Sequence, residues 1–173
     1  LLRLGHPELA RTTLERWEGA LAKEARYWLA LCDIEKVLGQ DVDRLLRVAT
    51  RAREVLPADD QAEINYTTAL LISARRPEEA VLLTSKRLER SPLSLAAKIN
   101  HCAALVRTER FDDALALMQQ ITPARLGPWE STWYQLIRFE LFFHLKLFDQ
   151  AWTALDLIQP QHLFPNQREP LRR

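Results

Sequence analysis

The sequence predicts an all-α fold in which antiparallel helix pairs stack in file, and three observations carry that expectation. A helix-start signal recurs along the chain. Its clearest copy is Arg76-Pro77-Glu78-Glu79-Ala80, with relatives at Gly5-His6-Pro7-Glu8-Leu9-Ala10, Arg110-Phe111-Asp112-Asp113-Ala114 and Leu147-Phe148-Asp149-Gln150-Ala151, and a weaker copy from Gly39 to Leu45. The small or apolar residue of the signal falls at Ala10, Leu45, Ala80, Ala114 and Ala151, so successive copies lie 35, 35, 34 and 37 residues apart, the period of a helical repeat array. Between the signals, apolar residues return at helical spacing. Glycine is scarce, 4 in 173 residues, too few for a sheet protein rich in tight turns.

The start signal has a physical reason at each position. Pro77 sits where a first helical residue would, and its fixed φ and missing N–H are harmless there. Glu78 and Glu79 put negative charge at the positive end of the helix dipole. Five segments follow: a half unit at 1–21 and units at about 22–57, 60–92, 94–123 and 131–160, together a repeat domain over 1–160, with 161–173 a tail or the start of a further element.

In chain order, residues 8–20 read as one helix with Leu9, Ala10, Thr13, Leu14, Trp17 and Ala20 on a single stripe, which makes Trp17 a core aromatic. A helix from about Ala22 to Leu38 ends at Gly39, placed as a C′ residue, and its partner runs from about Asp41 to Val55. Arg44, Arg47, Arg51 and Arg53 scatter around that partner's exposed face among acidic residues, which reads as a solvated surface. Pro57-Ala58-Asp59-Asp60 forms a turn with a capping Asp, leading into helices at 61–75 and 77–90. The next pair spans Ser94–Thr108 and Phe111–Ile121. Pro123, Gly127 and Pro128 make a longer connection over 122–131, and the last pair covers about Thr132–Leu145 and Asp149–Ile158.

Composition bounds the function. Hydrophobic residues at 47% and charged ones at 27% describe a globular chain long enough to bury a core. Net charge is +1, and Lys plus Arg against Asp plus Glu stand at 10 to 9 in residues 1–57, 8 to 9 in 58–121 and 6 to 5 in 122–173. No segment is basic enough for counterion-driven nucleic-acid binding, so no nucleic-acid partner is expected. No run of 18 apolar residues is present, so no membrane partner is expected either. Phosphate-loop, dinucleotide, nucleophile-elbow and zinc-peptidase motifs are missing, as is any Cys-x-x-Cys. The four histidines, His6, His101, His144 and His162, are isolated from one another. The sequence therefore predicts no enzyme, no catalytic residue, no metal site and no cofactor. The chain opens on Leu1-Leu2 without Met, and residues 4–10 look like the tail of a unit, so a fragment of a longer protein is expected.

Trp28-Leu29-Ala30-Leu31-Cys32 matches W-x2-L followed by a small residue, and Pro57 closes the same unit. In the next units Ile64, Thr67, Thr68, Leu71, Ala80 and Pro92, then Lys98, His101, Cys102, Leu105, Ala114 and Met118, fill corresponding positions. Phe142, Ala151, Leu155 and Pro160 do so in the last. The chain thus resembles the tetratricopeptide repeat (TPR) family, whose unit is W-x2-L-G-x2-Y…A-x3-F…P over 34 residues. The repeats are degenerate: Glu35 stands where Tyr is usual, and Trp133 with Leu136 sits two residues too early for Ala151. Cys32 and Cys102 fall in the small-residue slot where two helices approach closely, a packing role.

The resemblance implies a right-handed α-solenoid, a TPR-like superhelix, whose first helices line a concave groove. Its positions in this chain include Asn65, Tyr66, Ile99, Asn100, Arg107, Trp133 and Phe143. Asn65 and Asn100 offer a peptide backbone both donor and acceptor, and Ile99, Trp133 and Phe143 offer apolar anchorage. The expected function is a protein–protein interaction scaffold binding a peptide or partner helix. The alternative is a structural spacer or self-association segment of a larger multidomain protein, with homo-oligomerisation possible. Clamping of an acidic chaperone tail is disfavoured, because the basic members of that clamp are absent. Whether Phe142, Phe143 and Trp152 are covered by a further unit stays open at the level of sequence.

Overall fold

The computed structural model describes residues 5–168, and within them every regular element is helical. In chain order the helices are α1 (Pro7–Glu15), α2 (Glu18–Leu21), α3 (Ala25–Leu38), α4 (Val42–Val55), α5 (Asp60–Ser73), α6 (Pro77–Arg90), α7 (Leu95–Arg107), α8 (Phe111–Met118), α9 (Pro128–His144), α10 (Phe148–Asp156) and α11 (Pro165–Arg168). Short 3₁₀ turns at Pro123–Arg125 and Pro160–His162 precede α9 and α11. The chain clusters into two compact units, one of residues 5–73 with 164–168 and the other of 74–163. The division falls after Ser73, between the two helices of the 60–92 segment.

In the first unit α3 packs on α4, α4 on α5, and α1 on α3. Leu31, Cys32, Leu45, Ala49, Ala62, Ala69 and Leu70 form its interior. The helix starts are capped as the sequence demands: Asp41 accepts from the Arg44 N–H at 2.8 Å, and Asp59 from the Ala62 N–H at 2.8 Å. Such caps satisfy donors that the first turn leaves without a partner. Gly39 ends α3 at φ 59°, the left-handed region. α11 joins this unit, with the Asn166 side chain donating to the Ile72 carbonyl at 2.9 Å. The rest of the tail, from residue 169, lies outside the described residues.

Three expectations for this unit need correction. The predicted helix over 8–20 is two pieces, broken at Arg16-Trp17. Trp17 is not core: it sits at the start of α2 and is 60% exposed, because the break turns the stripe away after Leu14. The arginines of α4 are not uniformly solvated. Arg44 reaches inward to the buried Glu35 at 2.6 Å and also binds Glu15, and the Arg53 guanidinium lies 4.5 Å from the centre of the Tyr66 ring. Arg51 pairs with Glu54 on the surface, and Arg47 stays exposed.

The second unit is two helix pairs plus α6. α6 packs on α7, α7 on α8, α9 on both α7 and α8, and α10 on α9. Both helix pairs are built alike. α7 ends in a Schellman turn in which the Arg110 N–H returns to the Leu105 carbonyl at 2.9 Å, with Glu109 at φ 59°. α9 ends identically: the Leu147 N–H returns to the Phe142 carbonyl at 2.8 Å, with Lys146 at φ 60°. A displacement of 37 residues therefore carries Glu109 onto Lys146, Phe111 onto Phe148, Ala114 onto Ala151, Ile121 onto Ile158 and Pro123 onto Pro160. α9 starts at Pro128, earlier than the expected 132, because Pro128 occupies N1 and Glu130 reaches back to the Gly127 N–H at 3.1 Å. The same displacement aligns Phe142 with Leu105 and leaves Trp133, which aligns with Ala96, outside the W-x2-L register.

Cys32 and Cys102 are fully buried, and burial pushes both thiols up to about 12. Cys102 Sγ faces the Ala114 carbonyl at 3.7 Å. His101 is half-buried, its Nδ1 2.9 Å from Thr84 Oγ1, and burial followed by the Arg110 charge lowers its pKa.

Candidate functional site

The seven residues proposed from the sequence fall into both units. In the first, Asn65 is fully buried. Its Oδ1 accepts from Lys36 Nζ at 3.0 Å and from Gln61 Nε2 at 3.0 Å, while its Nδ2 has no hydrogen-bond partner among the described residues. Tyr66 is buried beside it in sequence, with Arg53 over its ring. Neither residue presents its side chain at the surface.

In the second unit the structure brings Asn100, Arg107 and Trp133 together between α7 and α9. Asn100 Oδ1 accepts from the Trp133 indole N–H at 3.2 Å, and the Arg107 guanidinium lies 5.9 Å from the Trp133 ring centre. Arg107 also meets Glu140 at 3.4 Å. Burial raises the Glu140 pKa, with Arg107 and His144 opposing the shift. Ile99 is buried in the core. The expected ligand-facing Asn100 and Trp133 are thus engaged with each other, and their pairing fastens α9 to α7.

Phe143 differs from the rest. It is 48% exposed and belongs to a continuous aromatic surface on α9 and α10. Phe139 and Phe143 lie 5.8 Å apart between ring centres, Phe143 and Phe148 5.7 Å, and Phe139 and Trp152 6.4 Å. Phe148 is 48% exposed and Trp152 53%. Sequence reasoning placed Phe143 at the site and singled out Trp152, but missed Phe139 and Phe148. The spacing Phe139, Phe143 at i, i+4 was the available signal for the first.

The internal repeat explains what kind of surface this is. A displacement of 37 residues places Phe143 on Val106, Phe148 on Phe111 and Phe139 on Cys102. In the preceding pair Cys102 and Val106 are buried, and Phe111 carries the His144 ring of α9 stacked on it at 5.1 Å. The face that α9 covers on α7–α8 is therefore open on α9–α10. A hollow of about 290 Å³ adjoins it, lined by Lys146, Leu147, Phe148, Asp149 and Gln150. Fully covering an aromatic side chain contributes roughly 1.5–3 kcal/mol, so three such rings can anchor a partner.

No group of three or more His, Cys, Asp and Glu side chains is placed to hold a metal among the described residues. None of the described helices is long and apolar enough to cross a membrane. Compared with known family models, curated proteins and solved structures, the sequence matches none.

Proposed function

We propose that the protein is a TPR-like interaction scaffold, a right-handed superhelix of helix pairs, that binds an amphipathic partner helix on the open face of α9–α10. The observation that carries this reading is the repeat relationship just described. The same two-helix platform, one repeat earlier, is occupied by α9, a helix laid across it. A helix is thus the occupant this platform is shaped to take, with an apolar stripe at i, i+3, i+4 against Phe139, Phe143 and Trp152. The contribution of Asn100 and Trp133 is to hold α9 in place.

A helical peptide library displayed against the intact chain tests the proposal. Selected peptides are expected to carry an apolar helical stripe and to lose at least tenfold in affinity to Phe143→Ser or Trp152→Ser. Selected binders that ignore both substitutions would remove this face from consideration. The exposed rings equally suit a second reading, self-association of a structural segment. A concentration-dependent dimer in sedimentation, abolished by Phe143→Ser, favours that second reading.

A further inference from the structure

We propose that the hollow beside Phe148 is the specificity pocket of the α9–α10 face and takes one aromatic side chain of the partner helix, stacked on the Phe148 ring. The inference rests on the reading of that face as a platform for a helix, and adds which side chain the platform selects. The hollow holds about 290 Å³ and is lined by Lys146, Leu147, Phe148, Asp149 and Gln150. An apolar cavity of about 150 Å³ already accommodates benzene, so one ring fits.

The preceding helix pair has the same five positions with an occupant in place. A displacement of 37 residues sets Glu109, Arg110, Phe111, Asp112 and Asp113 against Lys146 to Gln150 in order. Both stretches lead from a left-handed residue into the first turn of a helix, Glu109 at φ 59° before α8 and Lys146 at φ 60° before α10. Their first-turn hydrogen bonds match too, Ala114 N–H to the Arg110 carbonyl and Ala151 N–H to the Leu147 carbonyl, both at 3.0 Å. On the first stretch the His144 ring of α9 lies flat against Phe111, 5.1 Å between centres and 19° between planes. Phe111 is half-buried under it, whereas Phe148 is 48% exposed. The hollow therefore opens at the place where the earlier pair seats a planar ring.

The rim decides the kind of ring. In the first stretch Arg110 and Asp113 form an ion pair at 2.7 Å. In the second, Leu147 stands for Arg110 and Gln150 for Asp113, so an alkyl wall and a neutral amide replace that pair. A carbon ring suits this rim better than an imidazole that can gain a charge. Phe143 meets Phe148 at 5.7 Å and 73°, which joins the pocket to the rest of the aromatic face. Aromatic pairs gain from stacked and edge-to-face contact beyond the area they bury, and that gain separates a ring from an aliphatic side chain here.

A set of synthetic helical peptides titrated against the intact chain tests the pocket. Every member carries leucines at i, i+3 and i+4, and one position flanking that stripe is varied among Phe, Leu and Ala, each flanking position in turn. At one of them Phe is expected to bind more tightly than Leu by about three- to tenfold. The preference is expected to disappear on Phe148→Leu, a change at an exposed position, while the Leu member binds both chains alike. A preference that survives Phe148→Leu, or no position at which Phe outperforms Leu, would overturn the inference. Where binding in that case still falls with Phe143→Ser, the helix platform stands without its pocket. Binding that ignores Phe143→Ser, or no binding by any member, removes both.

Discussion

Glu35 shows how one residue can depart from a repeat pattern and still be built in. It occupies the position that the proposed TPR-like register gives to an aromatic, and it is 1% exposed. A buried carboxylate is tolerable only with charged partners. Arg44 supplies the close contact at 2.6 Å, and Arg11 stands at 3.9 Å from the other oxygen. Removing Arg44 leaves the buried carboxylate only the more distant Arg11, whereas removing Glu35 and Arg44 together leaves no buried carboxylate in need of a partner. Arg44→Met is expected to cost roughly 3 kcal/mol, and the double change Glu35→Leu/Arg44→Met to recover most of that loss. Urea unfolding of the wild type, both single variants and the double variant measures the cycle. A double variant as unstable as the sum of the singles would show that the pair does not act as a unit.

At the scale of elements, three of the turns between paired helices share a left-handed residue just after the first helix. Gly39, Glu109 and Lys146 each hold the left-handed conformation after α3, α7 and α9, at φ 59°, 59° and 60°. Only the first is glycine. A side chain in that region costs about 1–2 kcal/mol, and glycine gives back roughly 0.5–1 kcal/mol through greater freedom in the unfolded chain. Glu109→Gly and Lys146→Gly are therefore each expected to raise stability by about 0.5–1 kcal/mol, and Gly39→Ala to lower it by about 1 kcal/mol. Thermal unfolding of the three variants checks the signs. A fall in stability for both Glu109→Gly and Lys146→Gly would mean that their side chains offset the strain by contacts of their own.

At the scale of the whole molecule, what the sequence made legible follows where local chemistry decides. Pro77 at N1 and a capping Asp in the 57–60 turn mark starts at 77 and 61; α6 begins at Pro77, and α5 begins one residue earlier, at Asp60, with Asp59 as its cap. The break at Arg16-Trp17 carries no glycine or proline, so periodicity alone ran through it. Helix position alone makes Asn100 and Trp133 ligand-facing. Their pairing depends on how α9 is offset against α7, which no single helix's sequence encodes. Coverage of Phe142, Phe143 and Trp152 is open in the sequence, because it depends on which helices pack over them; Phe142 is buried, and Phe143 and Trp152 are exposed.

Two titrating groups of the second unit give the molecule opposed responses to acid. His101 has its pKa lowered from 6.5, first by burial, then by Arg110, with Asp113 opposing. Below about pH 6.5 the unfolded chain therefore binds a proton that the folded chain resists, and stability falls as pH drops through that window. Glu140 has its pKa raised from 4.5, first by burial, against Arg107 and His144. The folded chain holds that proton longer than the unfolded one, so stability falls as pH rises from about 4.5 through the folded value. Denaturant unfolding between pH 4.5 and 8 separates the two. Relative to wild type, His101→Gln is expected to gain stability progressively as pH falls from 7 to 5. Glu140→Gln is expected to gain as pH rises from 4.5, on a constant offset from the partner that Arg107 loses. Curves parallel to wild type for either variant would remove that group from the acid response, because a purely structural contribution shifts stability equally at every pH.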